Sequence, residues 1–345
     1  MTEGNSHVEL DLSILIVNWN SGDFLKRCLE SLENQREEGI SFEVIVVDNA
    51  SVDNSLEGLE SRFSWVMIIR NDYNYGFARA TNQAYRISRG RYVMTLNPDT
   101  YLPPGSLKKI VQFLDDTPEA GLVQPYPTAT YYARVVKPNI LTIISDKLFP
   151  SRTSQIVSEP LPVRWLWGTA IVARRSALKS DIFYEEWSFL FCEEYDMCKL
   201  MHQKGYKLYV LPIRAYHFLG GSRKRSPEIK YLTLKLSHAA IYIMDCREIG
   251  PLRARLNALI KVLDGFVLWS LQHIMNIIKP KYDRIYSIIE WKALWIASLA
   301  LLFRGSSYFK KMNREVEDIL NNRDLVKNWI LDSSDFYKNA PGYDK

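Results

Sequence analysis

Residues 91–105, RYVMTLNPDTYLPPG, run from an apolar segment straight into Asn97-Pro98-Asp99. Short apolar runs bounded by turn formers are typical of buried strands. Because proline cannot donate to a sheet ladder, the strand Tyr92–Leu96 should end at Asn97. Asp99 would then lie at the carboxyl edge of a sheet, where open α/β sheets bind ligands. Taken alone, the stretch is equally typical of an Asx-Pro turn with a solvated aspartate. The ligand-site interpretation therefore requires other segments that reach the same edge.

Strand and helix patterns alternate around this stretch. The apolar runs read as strands, and the segments between them have apolar residues at helical spacing. This β-α alternation over about the first 125 residues predicts an α/β fold with a doubly wound, mostly parallel sheet and helices on both faces. The predicted strands are LSILIV (12–17), FEVIVVD (42–48), VMIIRN (66–71), the run that ends before Asp99, GLVQP (121–125), WLWGTAIVARR (165–175) and YKLYVLP (206–212).

Polar residues follow four of these strands in succession. Four such strand ends favour a ligand site over a set of unrelated turns, because parallel strands end at one edge of the sheet. No G-x-G-x-x-G follows the first strand and no G-x-x-x-x-G-K-[ST] occurs, which argues against a dinucleotide fold and a Walker-type nucleotidase. The strand-end residues are Asn18, Asn20, Asp48, Asn49, Asn71, Asp72, Asn74, Asn97 and Asp99.

Composition indicates a folded protein with an uneven charge distribution. The 345 residues are 47% apolar and 24% charged, and the net charge is +5. Residues 222–345 hold 21 Lys and Arg against 13 Asp and Glu, which leaves the rest of the chain slightly acidic. The four cysteines form no C-x-x-C pair, and the N-terminus has no export signal, so we expect reduced thiols and a cytoplasmic protein.

The basic C-terminal third reads as helical, with basic and aromatic residues interleaved. Its two long apolar runs are residues 266–278, too short to span a bilayer, and residues 286–303, which contain Glu290 and Lys292. Residues 286–303 could span a membrane, lie on it or pack on the catalytic domain. This composition favours an anionic membrane surface as partner over nucleic acid, so we expect a peripheral protein on the inner face of the cell membrane.

Several motifs resemble those of family 2 inverting glycosyltransferases of the GT-A fold, in the rhamnosyltransferase-like branch that builds surface polysaccharides such as O-antigen. The resemblance covers roughly residues 12–222. It implies a GT-A catalytic domain over residues 1–222, followed by a helical region over residues 223–345. The motifs are LSILIVNWNSGDFLKRCLESL, VIVVDNASVDNS, NDYNYGFARATNQAYRISRGRYVMTLNPDT, WLWGTAIVARR and the segment from Tyr184 to Ser222.

The resemblance also implies residue roles. Asp99 corresponds to the metal-binding carboxylate, and His217 to a histidine near the metal and the diphosphate. Glu194 occupies the position of the general base, where the family pattern Glu-Asp-x-Asp has aspartate. The cofactor implied is Mg²⁺ or Mn²⁺. The nucleotide-sugar side would comprise Asn18, Asn20, Asp48, Asn74, Gly76, Asn82 and Asn97, and the acceptor side Trp167, Gly168, Glu193 and Asp196.

The function implied is transfer of a sugar, with rhamnose the branch's usual choice, from a dTDP- or UDP-sugar to a lipid-linked glycan. An oligomer is compatible with the sequence. A sugar nucleotidyltransferase is an alternative, although VNWNSGDF lacks the basic loop that such enzymes need. A non-catalytic nucleotide-sugar-binding module is a second alternative, favoured only by the glutamate at position 194. A nucleic-acid enzyme is a weaker one.

Overall fold

The computed structural model describes residues 10–127, 157–217, 227–278 and 282–329. An α/β domain comes first and a helical region follows. The strands are β1 (Leu12–Asn18), β2 (Phe42–Asn49), β3 (Val66–Asn71), β4 (Tyr92–Leu96), β5 (Thr100–Tyr101), β6 (Ala120–Pro127), β7 (Leu161–Val163), β8 (Ala170–Arg174) and β9 (Lys207–His217). The helices are α1 (Asp23–Glu33), α2 (Leu59–Arg62), α3 (Phe77–Ile87), α4 (Ser106–Asp116), α5 (Glu193–Gln203), α6 (Pro227–Ile249), α7 (Pro251–Ile278), α8 (Tyr282–Arg304), α9 (Ser306–Asn321) and α10 (Arg323–Trp329).

The strands of the described residues form one sheet in the order β3-β2-β1-β4-β8-β6-β9-β5, with β7 paired to β9. The pairs β3-β2, β2-β1 and β1-β4 are parallel, as the continuous apolar runs predict. The sheet then changes direction, since β8 runs antiparallel to both β4 and β6. This confirms the predicted mixed α/β fold with a mostly parallel sheet.

Helices cover both faces of the sheet. Leu12, Ile14 and Ile16 of β1 point into one core with α1 and α4, whereas Leu15 and Val17 point into a second core with α3 and α5. Alternate side chains of a strand point to opposite faces, so a run that is apolar throughout needs a cover on each. All seven residues of β1 are buried.

Two strand boundaries differ from the predictions. The strand predicted from residue 165 begins at Ala170, because residues 165–169 form a turn in which Thr169 N donates to the Trp167 carbonyl. The strand predicted to end at Pro212 continues to His217. A register shift in the β6–β9 ladder near Pro212 accommodates the proline within the strand.

The residues described after β9 are helical, as predicted. A third core joins α6, α7, α8 and α9, and Phe189 of the α/β domain packs into it. Among the described helices, none is both long and apolar enough to cross a bilayer. The predicted domain boundary at residue 222 lies outside the described residues.

Candidate active site

Strand pairing brings Asp99 to His217. The short strand β5 pairs antiparallel with the end of β9, so that Thr100 lies opposite His217. As a result, His217 Nε2 lies 3.1 Å from Asp99 Oδ1, and both side chains are about one-tenth exposed. Asn97 Nδ2 lies 3.2 Å from the same imidazole nitrogen. Asn97 and Asp99 therefore both contact the histidine at the end of the last strand.

Thr169 joins this cluster from the opposite side. The β4–β8 pairing places Leu96 opposite Ala170, and Asn97 N donates to the Thr169 carbonyl over 3.0 Å. Thr169 Oγ1 lies 3.4 Å from His217 Nδ1. Both imidazole nitrogens thus have a neighbour that can fix the orientation of the ring.

Gln124 holds the turn that precedes Thr169. Its side-chain amide donates to the Trp167 carbonyl over 2.6 Å and accepts from Trp167 N over 3.1 Å. The Gln124 side chain is fully buried, whereas the Trp167 indole is exposed. No motif in the sequence singles out Gln124, although a glutamine in a buried strand is itself unusual and indicates a specific partner.

Glu194 lies beside Gly168 at the start of α5. Its carboxylate accepts hydrogen bonds from its own backbone N–H and from that of Gly168. A Cβ on Gly168 would lie 3.6 Å from Glu194 Oε2, so the two residues are in contact. Burial of the carboxylate raises the pKa of Glu194. The raised pKa and the two N–H donors are what a general base needs to stay ionised and yet accept a proton.

The chain enters α5 through strained backbone. Phe191 and Cys192 both have positive φ values, 77° and 66°, although neither is glycine. Such conformations persist only where the surroundings hold them, and they concentrate at functional sites. Here they precede the first turn of α5, whose Glu194 contacts the turn that contains Gly168.

The other two carboxylates of α5 differ from Glu194 in their surroundings. Glu193 is buried. Asp196 accepts from Trp187 Nε1 over 2.6 Å and from Arg247 of α6 over 3.0 Å. The Arg247 guanidinium also lies over the Trp187 ring, at 4.6 Å from its centroid. Asp196 thus ties the active-site helix to the helical region.

The predicted nucleotide residues Asn18 and Asp48 form one buried network. Asn18 Nδ2 donates to Asp48 Oδ1 over 2.7 Å and to Ser55 Oγ over 2.9 Å. Asp48 also accepts from the Ser51 hydroxyl and backbone N–H. Asn20 is buried as well, and its Oδ1 accepts from Val52 N over 2.8 Å. These contacts fix the loops after β1 and β2 against each other.

Asn74, Gly76 and Asn82 shape the next loop. Asn74 Oδ1 accepts from Gly76 N over 3.0 Å, and a Cβ on Gly76 would lie 2.4 Å from the Phe189 carbonyl oxygen. The Asn82 amide is fully buried. It donates to the Tyr184 carbonyl over 2.8 Å and accepts from Phe183 N and Tyr184 N. Its observed contacts hold the segment that leads into α5.

The helical region reaches the loop after β3, which sequence reasoning missed. Asn321 of α9 accepts from Asn74 N over 2.7 Å and donates to the Asn74 carbonyl over 3.1 Å. Arg323 donates to the Asp72 carbonyl over 3.2 Å. These residues close a small cavity at the end of the sheet. Its lining comprises Trp19, Ala50, Val52, Asp72, Tyr73, Leu320, Asn321, Arg323 and Val326.

A divalent cation would find two protein ligands here. Asp99 and His217 supply an oxygen and a nitrogen on facing side chains. Among the described residues, no three His, Cys, Asp or Glu side chains cluster closely enough to hold a metal. Two ligands suit an ion that is shared with substrate phosphates, because Mg²⁺ is seldom caged by protein alone. The donor set therefore fits such a cation.

Comparison with known proteins identifies the domain. Residues 13–181 match the family model "Glycosyl transferase family 2". The chain carries a family 2 glycosyltransferase domain. It is 24% identical over 273 residues to N-acetylglucosaminyl-diphospho-decaprenol L-rhamnosyltransferase of Mycobacterium tuberculosis, covering 71% of this chain and 87% of the relative.

A second relative and a solved structure agree with this family. Poly(ribitol-phosphate) beta-glucosyltransferase of Bacillus spizizenii is 32% identical over 108 residues, which cover 30% of this chain and 17% of that protein. A mannosyltransferase of Pyrobaculum calidifontis, solved with GDP-Man and Mn²⁺, superposes with a TM-score of 0.52 at 14% identity, covering 85% of this chain and 87% of that one. The superposition shows the shared GT-A fold. The protein is a glycosyltransferase, and the nucleotidyltransferase and binding-module alternatives lose their support.

Proposed function

We propose that this glycosyltransferase moves a sugar from a nucleoside diphosphate sugar to a hydroxyl of a lipid-linked glycan, with inversion and with a divalent cation. The observation that carries the proposal is the chain of contacts from Asp99 through His217 and Thr169 to Gly168 and Glu194. It joins two side chains that could hold a cation to a partly buried carboxylate whose pKa is raised. Diphosphate departure and hydroxyl attack need these two groups on opposite sides of the sugar.

The donor would lie along the edge formed by the loops after β1, β2 and β3. Asn18, Asn20 and Asp48 would border the base and ribose, and Asn74, Gly76 and Asn97 the sugar and diphosphate. Asn82 would support the site indirectly, because its side chain holds the backbone segment that leads into α5. Because the M. tuberculosis relative transfers L-rhamnose, dTDP-rhamnose is the first donor to test, followed by UDP-sugars.

Asp99 and His217 would hold the cation with the donor diphosphate. When bound, Mg²⁺ or Mn²⁺ supplies positive charge that stabilises the departing diphosphate. The neighbours of His217 would orient its ring for this role, because Thr169 lies at Nδ1 and leaves Nε2 facing Asp99. The Mn²⁺ in the Pyrobaculum structure motivates this part of the proposal.

Glu194 would take the proton of the acceptor hydroxyl. As the acceptor oxygen bonds to the anomeric carbon, the bond from that carbon to the diphosphate oxygen breaks and its electron pair leaves with the diphosphate. One displacement of this kind inverts the anomeric centre. A positioned general base contributes typically about 10²–10⁴ in rate. Trp167, Glu193 and Asp196 would border the acceptor.

The acceptor proposed is a glycan on a lipid diphosphate, because the M. tuberculosis relative acts on N-acetylglucosaminyl-diphospho-decaprenol. Such an acceptor would place the enzyme at the inner face of the cell membrane, which is consistent with the basic C-terminal third. The reaction would extend a surface polysaccharide.

A donor panel tests this proposal. The purified chain is incubated with dTDP-, UDP- and GDP-sugars, with Mn²⁺, Mg²⁺ or EDTA, and release of the nucleoside diphosphate is measured with and without a short-chain lipid-diphosphate GlcNAc acceptor. We expect one donor to be consumed in a cation- and acceptor-dependent reaction. Release that EDTA does not affect would contradict the metal assignment, and consumption of no donor would contradict the proposal as a whole.

A further inference from the structure

One face of α7 is lined with large apolar side chains that lie in solvent. Their exposed fractions run from 42% to 81%, whereas large apolar residues of a surface helix normally face the core. We call this surface the α7 apolar face. It comprises Leu252, Leu256, Leu259, Leu263, Phe266, Val267, Leu271 and Ile274.

The spacing gathers these residues into one stripe. Successive members are mostly three or four positions apart, which is the spacing of one side of an α-helix. Residues 252 to 274 span 22 steps of about 1.5 Å, so the stripe is about 33 Å long. Phe303, near the end of α8, is exposed as well and adds to the apolar surface of this helix pair.

The opposite side of α7 shows why the helix packs in this orientation. Its buried residues are small: Ala254, Ala258 and Gly265. A Cβ on Gly265 would lie 2.9 Å from Trp295 N and 3.0 Å from its Cα, so α7 and α8 approach backbone to backbone. The small residues pack inward and the large ones point outward. A helix that faces only water has the reverse pattern.

Positive charge lies at the N-terminal end of the α7 apolar face. Arg253 and Arg255 of α7 are exposed, and so is Arg304, next to Phe303. Over its whole length α7 has three basic residues and one acidic residue, Asp264. An apolar stripe bordered by arginines is the pattern of helices that lie in a bilayer interface.

We propose that the α7 apolar face docks on an anionic phospholipid bilayer, with its leucines at the level of the acyl boundary and Arg253 and Arg304 at the headgroups. A second copy of the chain fits less well. A helix seam normally pairs opposite charges along its flanks, and α7 offers few acidic groups to pair with its arginines. Such docking would hold the enzyme at the membrane that contains the proposed lipid-linked acceptor. The docking proposal itself depends on the α7 apolar face and not on the identity of the acceptor.

Vesicle flotation of the full chain tests the proposal. Phosphatidylcholine vesicles are compared with vesicles that contain 30% phosphatidylglycerol, at low and high salt. The test variant is L256Q/L263Q, whose two side chains are exposed, so that folding is not at stake. The matched control is M67Q/I87Q, which replaces two exposed apolar residues of the α/β domain. A charge variant, R253Q/R304Q, probes the arginines.

We expect the wild type and the control to float with anionic vesicles. L256Q/L263Q should lower the bound fraction at least tenfold, and R253Q/R304Q should lose the preference for anionic lipid. Equal flotation of L256Q/L263Q and wild type would overturn the proposal. So would a wild type that ignores vesicles and forms a dimer that L256Q/L263Q dissociates, as measured by light scattering.

The result of the flotation experiment can be distinguished from the result of the donor panel. Binding of dTDP and UDP, measured on the same samples without lipid, should be the same in L256Q/L263Q and wild type. Loss of vesicle binding with intact nucleotide binding supports the docking surface. Normal flotation by a chain that consumes no donor would contradict the proposed function and leave the docking surface supported.

Discussion

Asp99 Oδ1 and His217 Nε2 lie 3.1 Å apart although the two residues are far apart in the chain. The pairing of β5 with β9 creates this contact, because it sets Thr100 opposite His217. Neither residue alone would be a metal site. Together, and with a diphosphate, they provide the mixed oxygen and nitrogen ligands that a Mn²⁺ or Mg²⁺ site can use.

Replacing Asp99 should remove the cation dependence of donor binding. Asp99→Asn keeps the shape of the side chain and removes its charge, so we expect weaker Mn²⁺-dependent binding of the nucleoside diphosphate and a loss of turnover of about 10² or more. Titration calorimetry of dTDP and UDP with and without Mn²⁺ measures the first effect. Asp72→Asn, near the same edge but outside the pair, is the control. An Asp99→Asn variant with full Mn²⁺-dependent turnover would show that the assignment is wrong.

Gly76→Ala should damage both the fold and the donor site. Gly76 has φ +83°, and a Cβ there would lie 2.4 Å from the Phe189 carbonyl oxygen. We expect a loss of about 2–4 kcal/mol in the free energy of unfolding, from backbone strain together with overpacking. Urea denaturation measures it.

Gly39→Ala is the matched control for this substitution. Gly39 has φ +82°, but a Cβ there would meet no atom within 4 Å, so only the strain of about 1–2 kcal/mol should remain. If the two variants lose equal stability, the close approach of Phe189 to Gly76 has no energetic weight.

Asn321 should couple the helical region to the donor site. Its side chain makes two hydrogen bonds to the backbone of Asn74. Asn321→Ala should raise KM for the donor several-fold with a smaller effect on kcat, because the loop after β3 loses its support. Each bond contributes about 0.5–1.5 kcal/mol, so the fold should survive. Ser307→Ala removes a local bond on the same helix and should leave KM unchanged. An unchanged KM in Asn321→Ala would argue against the coupling.

Stability should depend on pH through Glu194. Burial raises its pKa in the folded protein above the ordinary value of 4.5. The folded state therefore holds its proton to higher pH than the unfolded state, so the contribution of Glu194 is most favourable below about pH 4.5 and is lost as pH rises through the raised pKa. Glu194→Gln should lack this decline and be at least as stable as the wild type near pH 7. Thermal unfolding of both proteins from pH 4.5 to 8 checks the difference. A parallel pH dependence in the two proteins would contradict it.

Local patterns were sufficient to predict seven of the nine strands in the described part of the chain; β5 and β7 were not predicted. The continuous apolar runs predicted buried parallel strands, and the turn at Asn97-Pro98 predicted the end of β4, because both features are determined by neighbouring residues. The predicted start of a strand at residue 165 was wrong, because a residue far away in the chain determines the local conformation. Gln124 makes two hydrogen bonds to the Trp167 backbone and holds it in a turn.

The remaining features depend on contacts between distant segments. The bonds of Asn321 to Asn74 join residues 247 positions apart, and no local signal marks either residue for such a contact. The outward orientation of α7 was also hidden. Its leucines have the spacing of a core-facing stripe, and the buried side became clear from the packing of Ala254, Ala258 and Gly265 in the structure.

The central claim is that Glu194 is the base of a sugar transfer supported by Asp99 and His217. The most direct measurement compares Glu194→Gln with Asp196→Asn in single-turnover transfer, using the donor that the panel identifies, with donor affinity measured in parallel. We predict that Glu194→Gln lowers the rate about 10²–10⁴-fold while the donor Kd stays within about twofold of wild type. Asp196→Asn, which removes the charge that pairs with Arg247, should have the smaller effect on the rate. Normal turnover by Glu194→Gln together with an inactive Asp196→Asn would contradict the account.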